Sequence, residues 1–510
     1  MEREQPRVTL RNHFPSPYAS AIAAARTCYS PRVRGPEEVN ERQLEAIGTA
    51  TYNGGHHTVF QHAHFEFGLE AVSRHFVWNF LHSYPFYNSE QSSQRYVKLG
   101  EVRAYIPPLQ GEALRIYKTQ VERAWATYRE LSDLLLADTR AILDELRHVT
   151  GNSTDRKRKR VAREAEKKAI EVARYVIPVG AFTSMVHTIS GITLHRLARL
   201  MHSGDTPRET ALVISRMVEC VREVDPDFFE RIGDPPLEAD EIPEFVQRGD
   251  GTADPAFREE FDHRLEGRMS ALVSYDESAE TIVADAYRLA MGYSRDQVGD
   301  DEALRRILDP ALNPYRLDKL NLTFHSPLTR SLHHARYTFY KRISHTADSQ
   351  EQRHRMVHGS RPLLLFTDSR EPDYITPMLL QHNAEARAVY DEAMEEAWNA
   401  KNALLDLGVA REDALYLLPN AAAIRFVESG DLLFLLHKWV MRTCFNAQEE
   451  IYQSAMEELD QVRAVHPRLM QRVGPPCVVR QGLARPICTE GDHFCGVPVW
   501  LNFPDVERRI

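Results

Sequence analysis

No stretch of the 510 residues holds an uninterrupted apolar run of about 18, so none is suited to cross a bilayer as a helix. Basic excess is also missing. A net charge of −10 excludes a general binder of nucleic-acid polymers or membrane surfaces, which need cationic surplus to displace counterions. Local basic pockets for small anions are still allowed. Cysteine is scarce, six in all, which excludes a disulfide scaffold and favours a reducing cytoplasm. The opening MEREQPRVTLRNHF lacks the apolar core of a targeting signal, in keeping with that expectation. The rest is ordinary for a soluble globular protein: 43% hydrophobic, 27% charged, and long enough for two to four domains.

Read in order, Arg7 to Leu10 is a short strand candidate, and the Ala-rich Pro17 to Cys28 reads as a helix opened by Ser16-Pro17. Pro36 to Thr51 is a second helix candidate. The alternation of His64-Phe65-Glu66-Phe67-Gly68-Leu69-Glu70 predicts a half-buried strand. Long helices are expected over Gly111 to Val149 and Ala162 to Tyr175, the second ended by Ile177-Pro178. The basic run Asp155 to Arg160 between them reads as a solvated helix start. Gly233 to Pro255, rich in Pro, Gly and acids, reads as a linker.

The chain repeats itself. Shifted by 241 positions without a gap, Glu171, Pro178, Leu194, Glu209, Pro226 and Gly233 fall on Glu412, Pro419, Leu435, Glu450, Pro467 and Gly474. Such a match over a whole helical region implies tandem duplication. Within the second copy, Arg353-His354-Arg355 followed by Gly359-Ser360-Arg361 is a candidate anion clamp. Guanidinium forks grip phosphate oxygens, and a Gly-Ser turn lets backbone N–H groups approach them. A solvated basic loop is the alternative from these residues alone.

Gly55-His56-His57-Thr58-Val59-Phe60-Gln61-His62, Val72-Ser73-Arg74, Ser93-Gln94-Arg95-Tyr96 and Glu171 to Pro178 resemble flavin-dependent thymidylate synthase. So do Arg353-His354-Arg355, Arg442 and Ala447-Gln448-Glu449-Glu450-Ile451 in the second copy. The resemblance implies an α+β fold, an antiparallel sheet with long helices, present here as two tandem copies. The division is a first copy over 1–233, a linker over 234–261, a second copy over 262–474 and a Cys-containing tail over 475–510. It also implies FAD, with NADPH and methylenetetrahydrofolate as co-substrates, in methylating dUMP to dTMP. No protein nucleophile is called for. By resemblance Arg353, His354, Arg355 and His56 hold FAD. Ser93, Arg95, Tyr96, Arg174, Ser360, Arg361, Arg442 and Gln448 hold the pyrimidine nucleotide.

The departures are complementary. Leu81-His82-Ser83-Tyr84 stands at the Arg-His-Arg place of the first copy, Leu415 faces Arg174, Met201 faces Arg442 and Pro207 faces Gln448. Such losses predict halves that pair like separate subunits and share a composite site, with two chains forming a homodimer that mimics a tetramer. One absence is shared. The family's Asn-x-Arg is Ser190-Gly191-Ile192 in one half and Ser429-Gly430-Asp431 in the other. It keeps open a flavin-dependent reaction on a related nucleotide, or a non-catalytic flavin or nucleotide binder.

His56 and His57 follow paired glycines, where imidazoles can lie over a ring or donate to phosphate, or simply pack. Cys444, Cys477, Cys488 and Cys495 gather near a Pro/Gly-rich tail. Four thiolates could hold zinc or an iron–sulfur cluster. Reduced, partly buried cysteines are the alternative.

Overall fold

The computed structural model describes residues 2–249 and 253–510. Strands β1 (Arg7–His13), β2 (His64–Ser73), β3 (Tyr87–Gln91) and β4 (Phe182–Ser190) form an antiparallel sheet in the order β1-β2-β4-β3. Strands β5 (Ser270–Tyr275), β6 (Arg336–Ser344), β7 (His358–Ser360) and β8 (Ala423–Asp431) repeat it as β5-β6-β8-β7. The fold is therefore mixed α and β, in two copies. Period-two burial explains the strands: β2 turns Phe65, Phe67 and Leu69 inward, and β6 turns Tyr337, Phe339 and Ile343 inward.

The helices that matter below are α1 (Pro17–Thr27), α2 (Glu41–Asn53), α3 (Arg74–His82), α4 (Gly111–Leu146), α5 (Asp155–Ala173), α6 (Gly191–Arg199) and α7 (Pro207–Val224). In the second copy they are α8 (His345–Glu351), α9 (Ala384–Asp406), α10 (Leu432–Arg442) and α11 (Glu449–Val465), with α12 (Pro476–Arg480) in the tail. Helix α5 starts earlier than the periodicity suggests, because Thr154 caps it by accepting from Lys157 N at 3.3 Å. The basic run is thus the first turns of α5. The second copy has only the short helix Arg411–Ala414 in its place. Of the expected linker, Pro243–Arg248 and Ala256–Leu265 are helical, and 250–252 lie outside the described residues.

The largest core lies between the copies. Helix α4 packs on α5 and α9, and their apolar faces enclose Tyr175, Ile177, Tyr416 and Leu418. Here the chain crosses itself with near two-fold symmetry. Val179 N donates to Leu418 O at 2.7 Å and Asn420 N to Ile177 O at 2.8 Å. Gly180 N donates to Tyr416 O at 2.9 Å and Ala421 N to Tyr175 O at 3.0 Å. Pro178 and Pro419 face each other as a β-bridge. A Cβ on Gly180 would stand 2.9 Å from Tyr416 O, so the close approach requires glycine there.

Side chains cross over as well. Buried Glu209 accepts from Ser73 N (2.7 Å) and Ser73 Oγ (2.6 Å) of its own copy, and from Tyr416 Oη (2.7 Å) of the other. Glu450 repeats the arrangement, accepting from Ser344 N and Oγ and from Tyr175 Oη. Replacing Tyr416 by Phe should destabilise the protein by about 1–3 kcal/mol through the unsatisfied carboxyl, with the same cost for Tyr175→Phe. Urea unfolding measures both.

Burial also makes imidazoles titrate late. His75 and His187 are held down to about 3, and His82 and His195 to about 4, all mainly by desolvation. In the unfolded chain they gain protons near pH 6.5, so their contribution is complete above that pH and is lost as it falls toward 4. Burial pushes Asp205, Glu209 and Glu449 up to about 7, which acts in the opposite direction. With His345 also well below its usual range, the imidazoles outnumber these carboxyls. The urea midpoint should therefore fall between pH 7 and pH 5.

Candidate functional site

The end of α5 and the segment after β3 bring the first group of side chains together. Ser92 N is tied to Ser184 O at 3.0 Å, and Ser93 Oγ accepts from Arg95 N at 3.2 Å. Arg95 then reaches Glu171 through Nε and donates from Nη2 to Asn446 O of the second copy at 2.9 Å. Tyr96 is exposed, with the cations of Arg95 and Lys167 at 5.4 and 5.7 Å from its ring centre. Arg174, one turn beyond Glu171, donates to Gln448 Oε1 at 3.3 Å.

The second copy supplies the other side. Gln448 stands just before α11 and is buried; its Nε2 donates to Tyr175 Oη, and its Oε1 also accepts from Gln350. Arg442, at the end of α10, donates to Gln350 O at 2.7 Å. One chain of contacts thus joins Arg95 and Arg174 of the first copy to Arg442 and Gln448 of the second. Gln350 links them, and sequence reading did not single it out.

The electrostatics of this cluster are lopsided. Burial alone would raise the Glu171 carboxyl, yet Lys168, Arg95 and Arg174 hold it at about 2. Desolvation lowers Arg174 despite Glu171, and lowers Arg442 despite Glu351. Cations are in surplus in a poorly hydrated place, an arrangement made for an anion. Beneath Arg442 lies a fully buried network. Lys341 pairs with Glu458 at 2.6 Å, and Lys438 with Glu351 at 3.2 Å and with Glu428. Lys341 occupies an inward position of β6 with Tyr337 and Phe339, a charge out of place in an apolar alternation. That was the signal available for finding it.

Arg353 and Arg355 line a cavity of about 310 Å³ with Tyr87 and Asn88 of the first copy. Arg353 meets Glu90 at 2.7 Å on the exposed rim, and Arg355 lies over the Tyr87 ring at 5.0 Å. His354 between them is half-buried and does not line the cavity; its ring lies 5.9 Å from that of His437 and its Nε2 is enclosed without a partner. Two guanidiniums at one cavity, held only by Glu90 and Asn88 on its rim, suit a diphosphate-bearing cofactor.

Other expected site residues are not brought here. Arg361 is buried against Asp348 at 2.8 Å and over Phe426 at 4.3 Å, and Asp348 also accepts from Trp78 Nε1 at 2.8 Å. Ser360 lies in β7 opposite Val427. His56 is exposed, ahead of the turn His57–His62, which packs on α1 and α6 within the first copy. The metal expectation is corrected. Among the described residues no group of three or more His, Cys, Asp or Glu could hold a metal ion. Cys444, Cys477, Cys488 and Cys495 are free, and burial pushes the Cys444 thiol up to about 11 and Cys477 to about 12. Cys477 and Cys495 pack against an apolar cluster of Phe445, Tyr452 and Val499, which favours thiol over thiolate.

The mirror of the cluster is closed. Leu415 and Met201 are buried where the arginines would stand. Arg208, next to Pro207, spans the gap to Asp413 at 2.6 Å and Glu412 at 3.1 Å.

Arg361→Met should leave the Asp348 charge buried and unpaired, at a cost of about 3–5 kcal/mol in urea unfolding. Nucleotide affinity of the folded protein should be unchanged, which separates this structural pair from the arginines of the cluster.

The family model described as thymidylate synthase complementing protein matches residues 9–227 and 271–468. Curated relatives include flavin-dependent thymidylate synthases of Sulfolobus acidocaldarius and Geobacter sulfurreducens. The first is 32% identical over 217 residues, 42% of this chain and 80% of that protein. The second is 32% identical over 229 residues, 44% and 93%. That of Clostridium tetani is 30% identical over 235 residues, 44% and 86%. Each relative spans less than half of the chain, the length of about one copy.

Proposed function

Because the chain belongs to the flavin-dependent thymidylate synthase family as a tandem-duplicated member, we propose that it methylates dUMP to dTMP at a site its two copies share. It is a thymidylate synthase-like enzyme. FAD is the family's cofactor, and NADPH and methylenetetrahydrofolate are the proposed co-substrates. The observation that carries this reading is the surplus of arginine where the copies meet: half-buried Arg95 and buried Arg174 from one, half-buried Arg442 from the other.

A nucleotide phosphate and an anionic uracil would supply the missing negative charge. Arg174 and Arg442 grip from opposite copies, Arg95 is aimed by Glu171, and Gln448 orients Arg174. Developing negative charge on the pyrimidine is stabilised by donors already in place, so no reorganisation is needed during reaction. Arg353 and Arg355 would hold the FAD diphosphate at the cavity they line. FAD, when bound, supplies the redox chemistry. The thiol nearest the cluster in sequence, Cys444, is held protonated by burial and has no role.

The closed mirror position gives one nucleotide site per chain. Two chains then form a homodimer standing for the four subunits of the family, acting in the cytoplasm where NADPH is supplied. No helix among the described residues is long and apolar enough to cross a membrane.

Titrating the flavin-loaded protein with dUMP should saturate at one nucleotide per chain. Arg174→Leu and Arg442→Met should each weaken it by at least tenfold, since one charge-assisted hydrogen bond contributes about 1.5–3 kcal/mol. Two nucleotides per chain would refute the shared single site. NADPH oxidation that does not depend on dUMP and methylenetetrahydrofolate would refute the reaction.

A further inference from the structure

Residues 469–510 lie beyond both segments that match the family, yet they return to the nucleotide cluster. Asn446, whose carbonyl accepts from Arg95, donates its side-chain amide to His493 O at 2.8 Å and to Glu490 at 3.3 Å. One residue on, Ala447 O accepts from Arg508 Nη2 at 2.6 Å. The next residue is Gln448, the partner of Arg174. The tail therefore holds the turn between α10 and α11 at two successive residues.

Arg508 is held with care. Its guanidinium lies over the Tyr452 ring at 4.8 Å and 5.7 Å from that of Phe445, and Nε donates to Ile510 O at 2.8 Å. Its Nη1 is buried without a partner. Arg509, beside it, only pairs with exposed Glu145 at 2.6 Å. Around Arg508 the charges are those of the cluster. Lys168 meets Glu171 at 3.5 Å, Arg95 meets Glu171, and Glu449 accepts from Met378 N. With Arg174 and Arg508 itself these make four cations against the carboxyls of Glu171 and Glu449.

We propose that Arg508 is a positioning residue of the nucleotide site, fixing the Ala447–Gln448 turn and adding a cation behind Arg95 and Arg174. This rests on the nucleotide reading above. Both effects act through other residues: the turn sets where Gln448 presents Arg174, and the extra charge raises the attraction for a phosphate dianion. A guanidinium does this better than an ammonium, because its planar fork serves Ala447 O and Ile510 O together while stacking on the Tyr452 ring.

The test is dUMP titration and steady-state kinetics on the full-length flavin-loaded protein, comparing wild type with Arg508→Gln, Arg508→Lys and Arg509→Ala. Arg508→Gln should weaken dUMP about tenfold and raise its KM, with kcat within about twofold, the pattern for lost uniform binding. Arg508→Lys should recover part of the loss, because the charge remains. Arg509→Ala should match wild type. Urea midpoints taken alongside report folding. Unchanged dUMP affinity in Arg508→Gln overturns the proposal. So does a loss that Lys fails to relieve and that accompanies a lowered midpoint, since that describes packing alone. If wild type itself does not bind dUMP, the nucleotide reading fails and this inference falls with it.

Discussion

Two carboxylates that neither half can satisfy alone hold this molecule in its shape. Glu209 and Glu450 each draw two hydrogen bonds from a serine of their own copy and the third from a tyrosine of the other. A buried carboxyl short of a partner is costly, so the halves are tied where their cores are deepest. The backbone crossing at Pro178 and Pro419 runs through the same place. Everything functional follows from that crossing. It carries Arg174, just before Tyr175, against Gln448, just before Glu449 and Glu450. The tyrosine that closes the interface and the arginine proposed to face the nucleotide are consecutive residues.

The charge arrangement is the second consequence. Lys341 and Lys438 are set against Glu351, Glu428 and Glu458 in full burial, and Arg442 answers the third carboxylate, 3.8 Å from Glu351. Such a network gives little net stability compared with an apolar core, but it fixes geometry because each member has several partners. Above it the balance stops. Arg95, Arg174 and Arg442 exceed the carboxylates that face them, and desolvation pulls Arg174 and Arg442 below their ordinary range. A tightly paired layer under a cation-rich one is a rigid floor beneath the proposed anion site.

Much of this could be read from the residues. The 241-residue shift carries β4 onto β8 residue for residue and brings α7 and α11 to end at equivalent positions, because no residue is gained or lost between them. Arg174, Arg442 and Gln448 do come together, as complementary losses predict. Arg361 was less legible, since its partner Asp348 is thirteen residues earlier and no pattern marks a carboxylate as buried. The tail misled for a related reason. Clustered cysteines suggest a metal, whereas order there comes from Arg508, Asn446 and an apolar patch, contacts between positions far apart in sequence. Lys341 was legible in principle as a cation on the inner face of a strand.

The asymmetry of the two copies has a physical logic that identical subunits cannot use. In a symmetric assembly every substitution strikes each equivalent place, so an arginine needed at one site must be buried at all of them. Fusion removes that constraint. At the retired position Leu415 joins the central core fully buried, where a leucine side chain contributes about 1.5–3 kcal/mol. Arg174, at the retained position, is buried against Glu171 and Gln448, and desolvation lowers it despite that carboxylate. Met201 and Arg442 divide in the same way, and the Arg208–Asp413 pair seals the retired side. The unfavourable charges are thus kept on one side of the crossing, the side proposed to bind nucleotide. The mirror side is apolar packing and a closed ion pair, which need no ligand to be satisfied.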